Sequence, residues 1–168
     1  MQHPLLLPAL LGSTGFRRYY SCFIRAEDLL ENVTPSNGNS LPDPALIDFF
    51  KQDDCFCHPI VLSFSGGEDQ WYSMKVNSIS GVAVINDIVT KWANATSGYV
   101  FLPKEGILEV LHGQTRLAAF RKAVESNEVF RIEDDLIPVI IFGFTKTEVG
   151  HRAKENLREL LQRFTVTA

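Results

Sequence analysis

Apolar residues follow two different patterns along the chain. Nearly continuous apolar runs of strand length lie at Pro59–Phe64, Ile107–Leu111 and Leu136–Phe142, and such runs are typical of strands buried in a sheet. Aromatic residues and a cysteine favour extended structure from about Phe16 to Ile24. Between these runs the apolar residues recur at helical spacing, and strands that alternate with helices indicate an α/β or α+β sheet domain.

Helical spacing predicts four helices around these strands. A short helix covers Ala26–Glu31, and a second runs from Asp43 to Lys51, with Asp43 as its N-cap. A third begins at Gln114. The last extends from about Lys146 to Phe164 and carries an apolar stripe made of Val149, Ala153, Leu157, Leu160 and Leu161.

The middle of the chain follows neither pattern well. Thr34–Leu41 is a loop by its Pro, Asn and Gly content, and Ser65–Gln70 is a turn with two adjacent glycines. Beyond that turn, the pattern predicts an extended stretch over Met74–Val84 and a short helix over Asn86–Ala93. Trp71 and Trp92 either pack in the core or stack on nucleic-acid bases. We treat residues 65–105 as an insertion within a single domain that spans residues 16–168.

Residues 1–15 are predicted to be a flexible N-terminal segment. The stretch Met1–Leu11 is apolar, but Pro4 and Pro8 interrupt it. A mitochondrial presequence over residues 1–21 is the alternative, because no acidic residue occurs before Glu27. The basic residues of this stretch are only Arg17 and Arg18, so we favour a frayed start followed by a strand.

Composition narrows the functional classes. The 168 residues are 45% hydrophobic, which suits one domain with a core. The net charge of −4 argues against a generally basic nucleic-acid-binding surface, so any contact with DNA must be local. No apolar run approaches the roughly 20 residues of a membrane span.

The cysteines indicate a reducing compartment, the nucleus or the cytoplasm. Cys22, Cys55 and Cys57 are too few for a disulfide framework. Cys55-Phe-Cys57-His58 has the start of a zinc site, but no second pair of ligands follows at zinc-like spacing. Small residues at a junction between a helix and a strand are the simpler interpretation.

The stretch Gly106–Ala123 combines a strand, a tight turn and a helix, with Arg116 in the first helical turn. N–H groups at a helix start have no partners inside the helix and carry partial positive charge. A glycine lets a ligand approach the backbone, and an arginine fork suits phosphate. The alternative is a glycine turn with Arg116 as a surface charge. The pattern predicts a phosphate site at His112, Gly113, Gln114, Thr115 and Arg116.

This stretch resembles the phosphate-binding box of the ParB/sulfiredoxin-like superfamily, in which an apolar strand runs into Gly-x-x-Arg and an alanine-rich helix. The order of elements from Phe23 to the Pro59 strand is similar to ParB domains as well. The resemblance implies an α+β fold, a small mixed sheet flanked by helices. The Leu-His-Gly-Gln-x-Arg form of the box is also similar to an uncharacterised group of fungal proteins associated with mobile elements. The residues that match the box are Gly113, Gln114, Thr115, Arg116 and Ala119.

The C-terminal part of the chain extends the resemblance. In ParB proteins an Ile-Pro-Val strand precedes a Glu-Asn-Leu helix, whose Glu and Asn lie by the nucleotide phosphates and the magnesium. The corresponding residues here are Glu155 and Asn156. The resemblance therefore implies CTP or ATP with Mg²⁺ held by Glu155 and Asn156, and Glu155 as the water-positioning group of any slow hydrolysis. Alternatively, both are exposed helix residues that pair with Arg152 or Arg158.

Departures from the superfamily motifs reduce the number of activities that the resemblance can imply. Sulfiredoxins have a nucleophilic cysteine where this chain has Gln114, and the serine-kinase relatives have an acidic residue where it has His112. ParB proteins carry a further arginine in the box, where this chain has Thr115. We therefore predict a nucleotide-binding module, at most a slow NTPase, that is coupled to DNA or to protein partners, including a second copy. The alternative is a catalytically inactive ParB-like scaffold that acts through protein contacts. The basic cluster nearest the box comprises Arg116, Arg121, Lys122 and Arg131.

Overall fold

The computed structural model describes residues 1–14, 17–34, 42–50, 58–74, 95–126, 135–144 and 148–165. Within these residues the chain forms one eight-stranded sheet and four helices, so the predicted α+β class is confirmed. The strands are β1 (Leu5–Thr14), β2 (Arg17–Arg25), β3 (Val33–Thr34), β4 (Ile60–Ser65), β5 (Gln70–Ser73), β6 (Ser97–Leu102), β7 (Ile107–His112) and β8 (Leu136–Phe144). The helices are α1 (Ala26–Asn32), α2 (Pro44–Phe50), α3 (Gln114–Glu125) and α4 (Glu148–Thr165).

The sheet is mixed, with the strand order β3-β7-β4-β8-β2-β1-β6-β5. Two pairs, β3–β7 and β4–β8, are parallel, and the other pairs are antiparallel. The apolar runs predicted as buried strands form β4, β7 and β8, which are neighbours in the sheet. Pro138 lies near the start of β8, before Val139, the first residue that pairs with β4. It therefore removes no hydrogen-bond donor from the β4–β8 ladder.

The larger core lies between one face of the sheet and the helices α1, α2 and α3. Every second residue of the strands points into it, including Leu5, Ile24 and Leu62. On the helical side, Phe50 of α2 meets Phe120 of α3 edge to face, with ring centroids 5.4 Å apart. Asp43 caps α2 as predicted, because its Oδ1 accepts a hydrogen bond from the Ala45 N–H at 2.9 Å.

Helix α4 covers part of the opposite face of the sheet. Its residues Ala153, Leu157 and Leu161 pack against a second buried cluster that comprises Val61, Leu111, Phe142 and Phe144. Leu160 is 49% exposed, so its place in the predicted stripe is wrong.

Polar contacts fix the start of α4. The Lys154 ammonium group pairs with the Glu109 carboxylate in the middle of β7, and Arg17 Nη1 donates to the Ala153 carbonyl oxygen at 2.8 Å. The Arg17 guanidinium also lies over the Phe144 ring, 5.4 Å from its centroid. These contacts fix the position of α4 along the direction of β7.

The prediction of a flexible segment over residues 1–15 is wrong for Leu5–Thr14, which form β1 between β2 and β6. Leu5, Leu7 and Ala9 are buried, whereas the intervening residues are exposed. Pro8 breaks a helical pattern, but it lies opposite Tyr99 within this strand. One of its two partner strands, β6, is far away in the sequence, so the local pattern does not reveal that pairing.

The predicted insertion over residues 65–105 contains two strands of the main sheet, β5 and β6. Strand β6 pairs with β1, so the sheet is larger than the small one predicted. Trp71 stacks on the buried Tyr20, with centroids 5.8 Å apart and planes at 24°, which agrees with core packing. Thr34 was predicted to begin a loop, but it is the last residue of β3. Strand β8 is longer than the predicted run, which ended at Phe142, and continues through Gly143 to Phe144.

Several predictions lie outside the described residues. They are the loop beyond Thr34, the extended stretch beyond Met74, the helix at Asn86–Ala93, the environment of Trp92 and the pair Cys55 and Cys57. In the part of the chain that is described, no helix combines the length and the apolar character needed to cross a bilayer.

Replacing Lys154 with methionine should destabilise the protein by roughly 1–2 kcal/mol, because it leaves the partly buried Glu109 carboxylate without its partner. The two side chains are 13% and 34% exposed. Chemical denaturation with urea measures the loss, and the double variant K154M/E109Q should recover most of it. The control is K122M, whose pair with Glu125 is exposed and which should change stability by less than about 0.5 kcal/mol. Equal losses in K154M and K122M would contradict the structural role given to the Lys154–Glu109 pair.

Candidate functional site

The turn from β7 into α3 has the geometry predicted for it. Gly113 adopts a left-handed backbone with φ of 93°, a conformation that favours glycine, and α3 begins directly after it at Gln114. The Leu117 N–H donates to the Gly113 carbonyl oxygen at 2.9 Å and makes the first bond of the helix. The N–H groups of Gln114, Thr115 and Arg116 therefore lie in the first turn, where the helix itself offers no acceptors. No side chain caps this end of α3.

The Arg116 side chain folds back over Gly113. A Cβ atom at position 113 would lie 3.1 Å from Arg116 Nη2 and 3.4 Å from Nε, so the guanidinium occupies the space beside the glycine. Among the described residues, no carboxylate lies within ion-pair distance of Arg116. A guanidinium and the positive end of a helix dipole thus share one place without a neutralising group, and an anion there would be stabilised by both.

A cleft of about 710 Å³ opens beside this turn. Strands β4, β7 and β8 and the end of α4 contribute its walls, and its size is that of a small-molecule site. All five residues predicted to bind phosphate line it. The described residues of its lining are His58, Pro59, Val61, His112, Gly113, Gln114, Thr115, Arg116, Ile140 and Gln162.

A β-bulge in the β4–β7 pair helps to shape the cleft. Val61 pairs with His112, whereas the next residue, Leu62, pairs with Val110, so β7 carries one extra residue, Leu111, at this point. A bulge bends a strand and changes the direction of the side chains that follow it. Here it brings His112 opposite Val61 at the edge of the cleft. The apolar run of β7 gives no sign of the bulge, so sequence reasoning missed Val61, Ile140 and Gln162 as lining residues.

The imidazole of His112 lies beside the Arg116 guanidinium. Burial of the ring, and then the positive charge of Arg116, lowers the pKa of His112 below its ordinary value of 6.5. At neutral pH the ring is therefore uncharged and offers the cleft one donor and one acceptor. The Arg116 guanidinium is a permanent positive charge in the lining.

The structure does not bring Glu155 and Asn156 to the turn. Both are exposed on α4 and lie outside the described lining of the cleft. The pair of Lys154 with Glu109 places the start of α4 beside the middle of β7. Gln162, which does line the cleft, follows Glu155 by two helical turns, about 10 Å along the axis.

The magnesium site at Glu155 and Asn156 stays a prediction from the family resemblance. The carboxylate of Glu155 and the amide of Asn156 are suitable ligands by type, but neither residue is among those described as lining the cleft beside Gly113 and Arg116. Within the described ranges, no group of three or more His, Cys, Asp or Glu side chains is arranged around a common point as metal ligands would be.

Comparison with known proteins returned no match in any of three searches, which covered models of protein families, curated proteins and solved structures. The resemblance to the ParB/sulfiredoxin-like superfamily therefore stays a prediction from the sequence motifs. The structure itself establishes the coarser class, a mixed eight-stranded sheet with helices in an α+β arrangement of the described residues.

Proposed function

We propose that the chain is a ParB-like nucleotide-binding module that holds the phosphates of CTP or ATP at the N-terminus of α3. The observation that carries the proposal is the Arg116 guanidinium, folded over the left-handed Gly113 and lacking a described carboxylate partner. Because Gly113 has no side chain, a phosphate oxygen can approach the N–H groups of the first turn. The guanidinium then supplies two parallel donors to the same group.

The walls of the cleft suit the rest of a nucleotide. Pro59, Val61 and Ile140 give it an apolar side, against which a base can lie. His112, Gln114 and Gln162 offer neutral polar groups that can hydrogen-bond to the edge of a base or to a ribose. The identity of the base would depend on these side chains.

The proposal covers binding and not hydrolysis. Glu155, the carboxylate that the family resemblance suggests for positioning water, is exposed on α4 and stands outside the described cleft lining. A water-positioning group must lie within hydrogen-bond reach of the reacting water. Glu155 and Asn156 therefore receive no role toward Mg²⁺ or toward catalysis.

The charges near the box favour a protein partner over DNA. Of the basic cluster near the box, Arg121 donates to the carbonyl oxygens of Leu30 and Val33, so its charge serves the fold. Lys122 pairs with Glu125 on the exposed side of α3. Arg131 lies outside the described residues. Exposed apolar residues on the sheet favour the second candidate function, a scaffold that acts through protein contacts.

Nucleotide binding should raise the melting temperature. For a Kd of about 10 µM, 1 mM CTP or ATP stabilises a protein by about 2.7 kcal/mol, which corresponds to roughly 5–10 °C for a domain of this size. Differential scanning fluorimetry with both nucleotides, with and without Mg²⁺, measures the shift. We expect R116A to lose it, because the bidentate phosphate contact is removed.

The matched control is K122A, which removes one positive charge from the same helix away from the cleft. It should keep the full shift. No shift of the unaltered protein with either nucleotide at millimolar concentration would rule out the nucleotide proposal and leave the scaffold. If nucleotide still raises the melting temperature of R116A, the nucleotide binds at a different site.

Stability should depend on pH through His112. The folded-state pKa of His112 lies below the unfolded value, so the unfolded chain binds more protons as the pH falls below about 6.5. Stability from this group is therefore full above that pH and is lost as the pH drops through the folded-state pKa. Urea midpoints at pH 7.5, 6 and 5 should fall more steeply for the unaltered protein than for H112Q. Parallel curves for the two proteins would contradict this account of the His112 environment.

A further inference from the structure

One part of the sheet presents apolar side chains to solvent. It lies on the face opposite the larger core and spans the five neighbouring strands β8, β2, β1, β6 and β5. Six large apolar side chains on these strands are between 39% and 60% exposed, and together they form an unusually large apolar surface. We call this surface the open face, and its most exposed residues are Leu6, Leu10, Phe23, Tyr72, Tyr99 and Leu136.

The strand register places these side chains next to one another. Tyr72 of β5 lies opposite Tyr99 of β6, which lies opposite Pro8 of β1. On the other side of β1, Phe23 of β2 lies opposite Pro138 of β8. Helix α4 covers the neighbouring part of the same face, where it packs against Phe142 and Ile140. The open face is therefore one continuous patch that begins where the α4 contact ends.

The area of this patch is close to that of a protein interface. With aromatic side chains of about 150–250 Å² and somewhat smaller aliphatic ones, the exposed fractions amount to roughly 600 Å². Pro8, Phe101 and Pro138 adjoin these side chains and add to it. A stable complex buries about 800 Å² on each partner. Two such faces in contact therefore remove nearly enough apolar surface from water for a specific dimer.

The open face is also complementary to itself. Strand β1 lies at its centre, with β2 and β8 on one side and β6 and β5 on the other. On the first side Phe23 and Leu136 project, 57% and 60% exposed. On the second side a groove of about 340 Å³ is lined by Leu6, Tyr72, Tyr99 and Phe101.

A two-fold axis that runs parallel to β1, between two facing copies, creates two equivalent contacts between these sides. Rotation about that axis lays the β2–β8 side of one copy over the β6–β5 side of the other, as in an isologous contact. We propose that the open face is the interface of a homodimer, in which Phe23 and Leu136 of each copy enter the groove of the other. Sheets packed face to face in this way lie about 10 Å apart with interdigitated side chains.

The charges near the patch favour this occupant over a nucleic acid. The described lining of the groove contains no basic residue, and Arg25, at the end of β2, forms an exposed pair with Glu27 at 3.5 Å. Nucleic-acid surfaces that use aromatic residues combine them with a basic groove along the backbone. An apolar patch with a rim of mixed charge suits a second protein surface.

Sedimentation velocity and equilibrium between about 1 and 200 µM test the dimer with the full chain. We expect a monomer–dimer equilibrium with a Kd in the micromolar range, because the buried area is at the lower end of specific interfaces. F23K and Y99E should each weaken association at least tenfold. L160E, which changes an equally exposed leucine on α4, should associate as the unaltered protein does. Circular dichroism confirms that each variant is folded.

Mixing the two variants tests the pairing itself. In a mixed dimer, the ammonium group introduced by F23K meets the carboxylate introduced by Y99E at one contact, while the other contact keeps the native Phe23 and Tyr99. The mixture should therefore associate more tightly than either variant alone. A protein that stays monomeric at 200 µM overturns the proposal, whether another protein or another segment of the chain covers the face. A dimer that F23K and Y99E leave intact overturns the assignment of its surface.

Discussion

The candidate site depends on one backbone conformation, the left-handed turn at Gly113. This conformation ends β7 and starts α3 within a single residue, so the free N–H groups of the helix lie at the end of a buried strand. It also leaves the space that the Arg116 guanidinium occupies. A larger residue at 113 would carry a backbone penalty and would push against Nη2 of Arg116. The positive end of the helix and the guanidinium are held together by this one glycine.

This turn could be predicted from the sequence because the residues that specify it are close together in the chain. A glycine between a run of branched residues and a helical pattern can be seen within a single short stretch, and the same holds for α2, with Asp43 and Pro44 at its start. Strand β1 could not be predicted in that way, because its hydrogen-bond partners are β2 and β6 and the latter is nearly a hundred residues distant. Its alternation of buried and exposed residues was hidden by leucines on both faces, of which Leu6 and Leu10 are exposed.

The positions of Glu155 and Asn156 show what a sequence motif leaves open. The motif gives residue types and their order, whereas the position of α4 along β7 depends on contacts such as Lys154 with Glu109 and Arg17 with the Ala153 carbonyl. In this arrangement Gln162, near the end of α4, lines the cleft, whereas Glu155 and Asn156 are exposed. The apolar walls of the cleft depend likewise on the strand order β7-β4-β8 and on the bulge opposite Val61, neither of which any single segment encodes.

The central claim is that an anion binds between the N-terminus of α3 and the Arg116 guanidinium. Backbone amide NMR during a titration with CTP or ATP tests it most directly, since each N–H group reports on its own surroundings. The account predicts that the largest saturable shifts occur at Gly113, Gln114, Thr115 and Arg116 and that R116A removes them. Saturable shifts centred on another part of the chain, or no shifts at millimolar nucleotide, would contradict it.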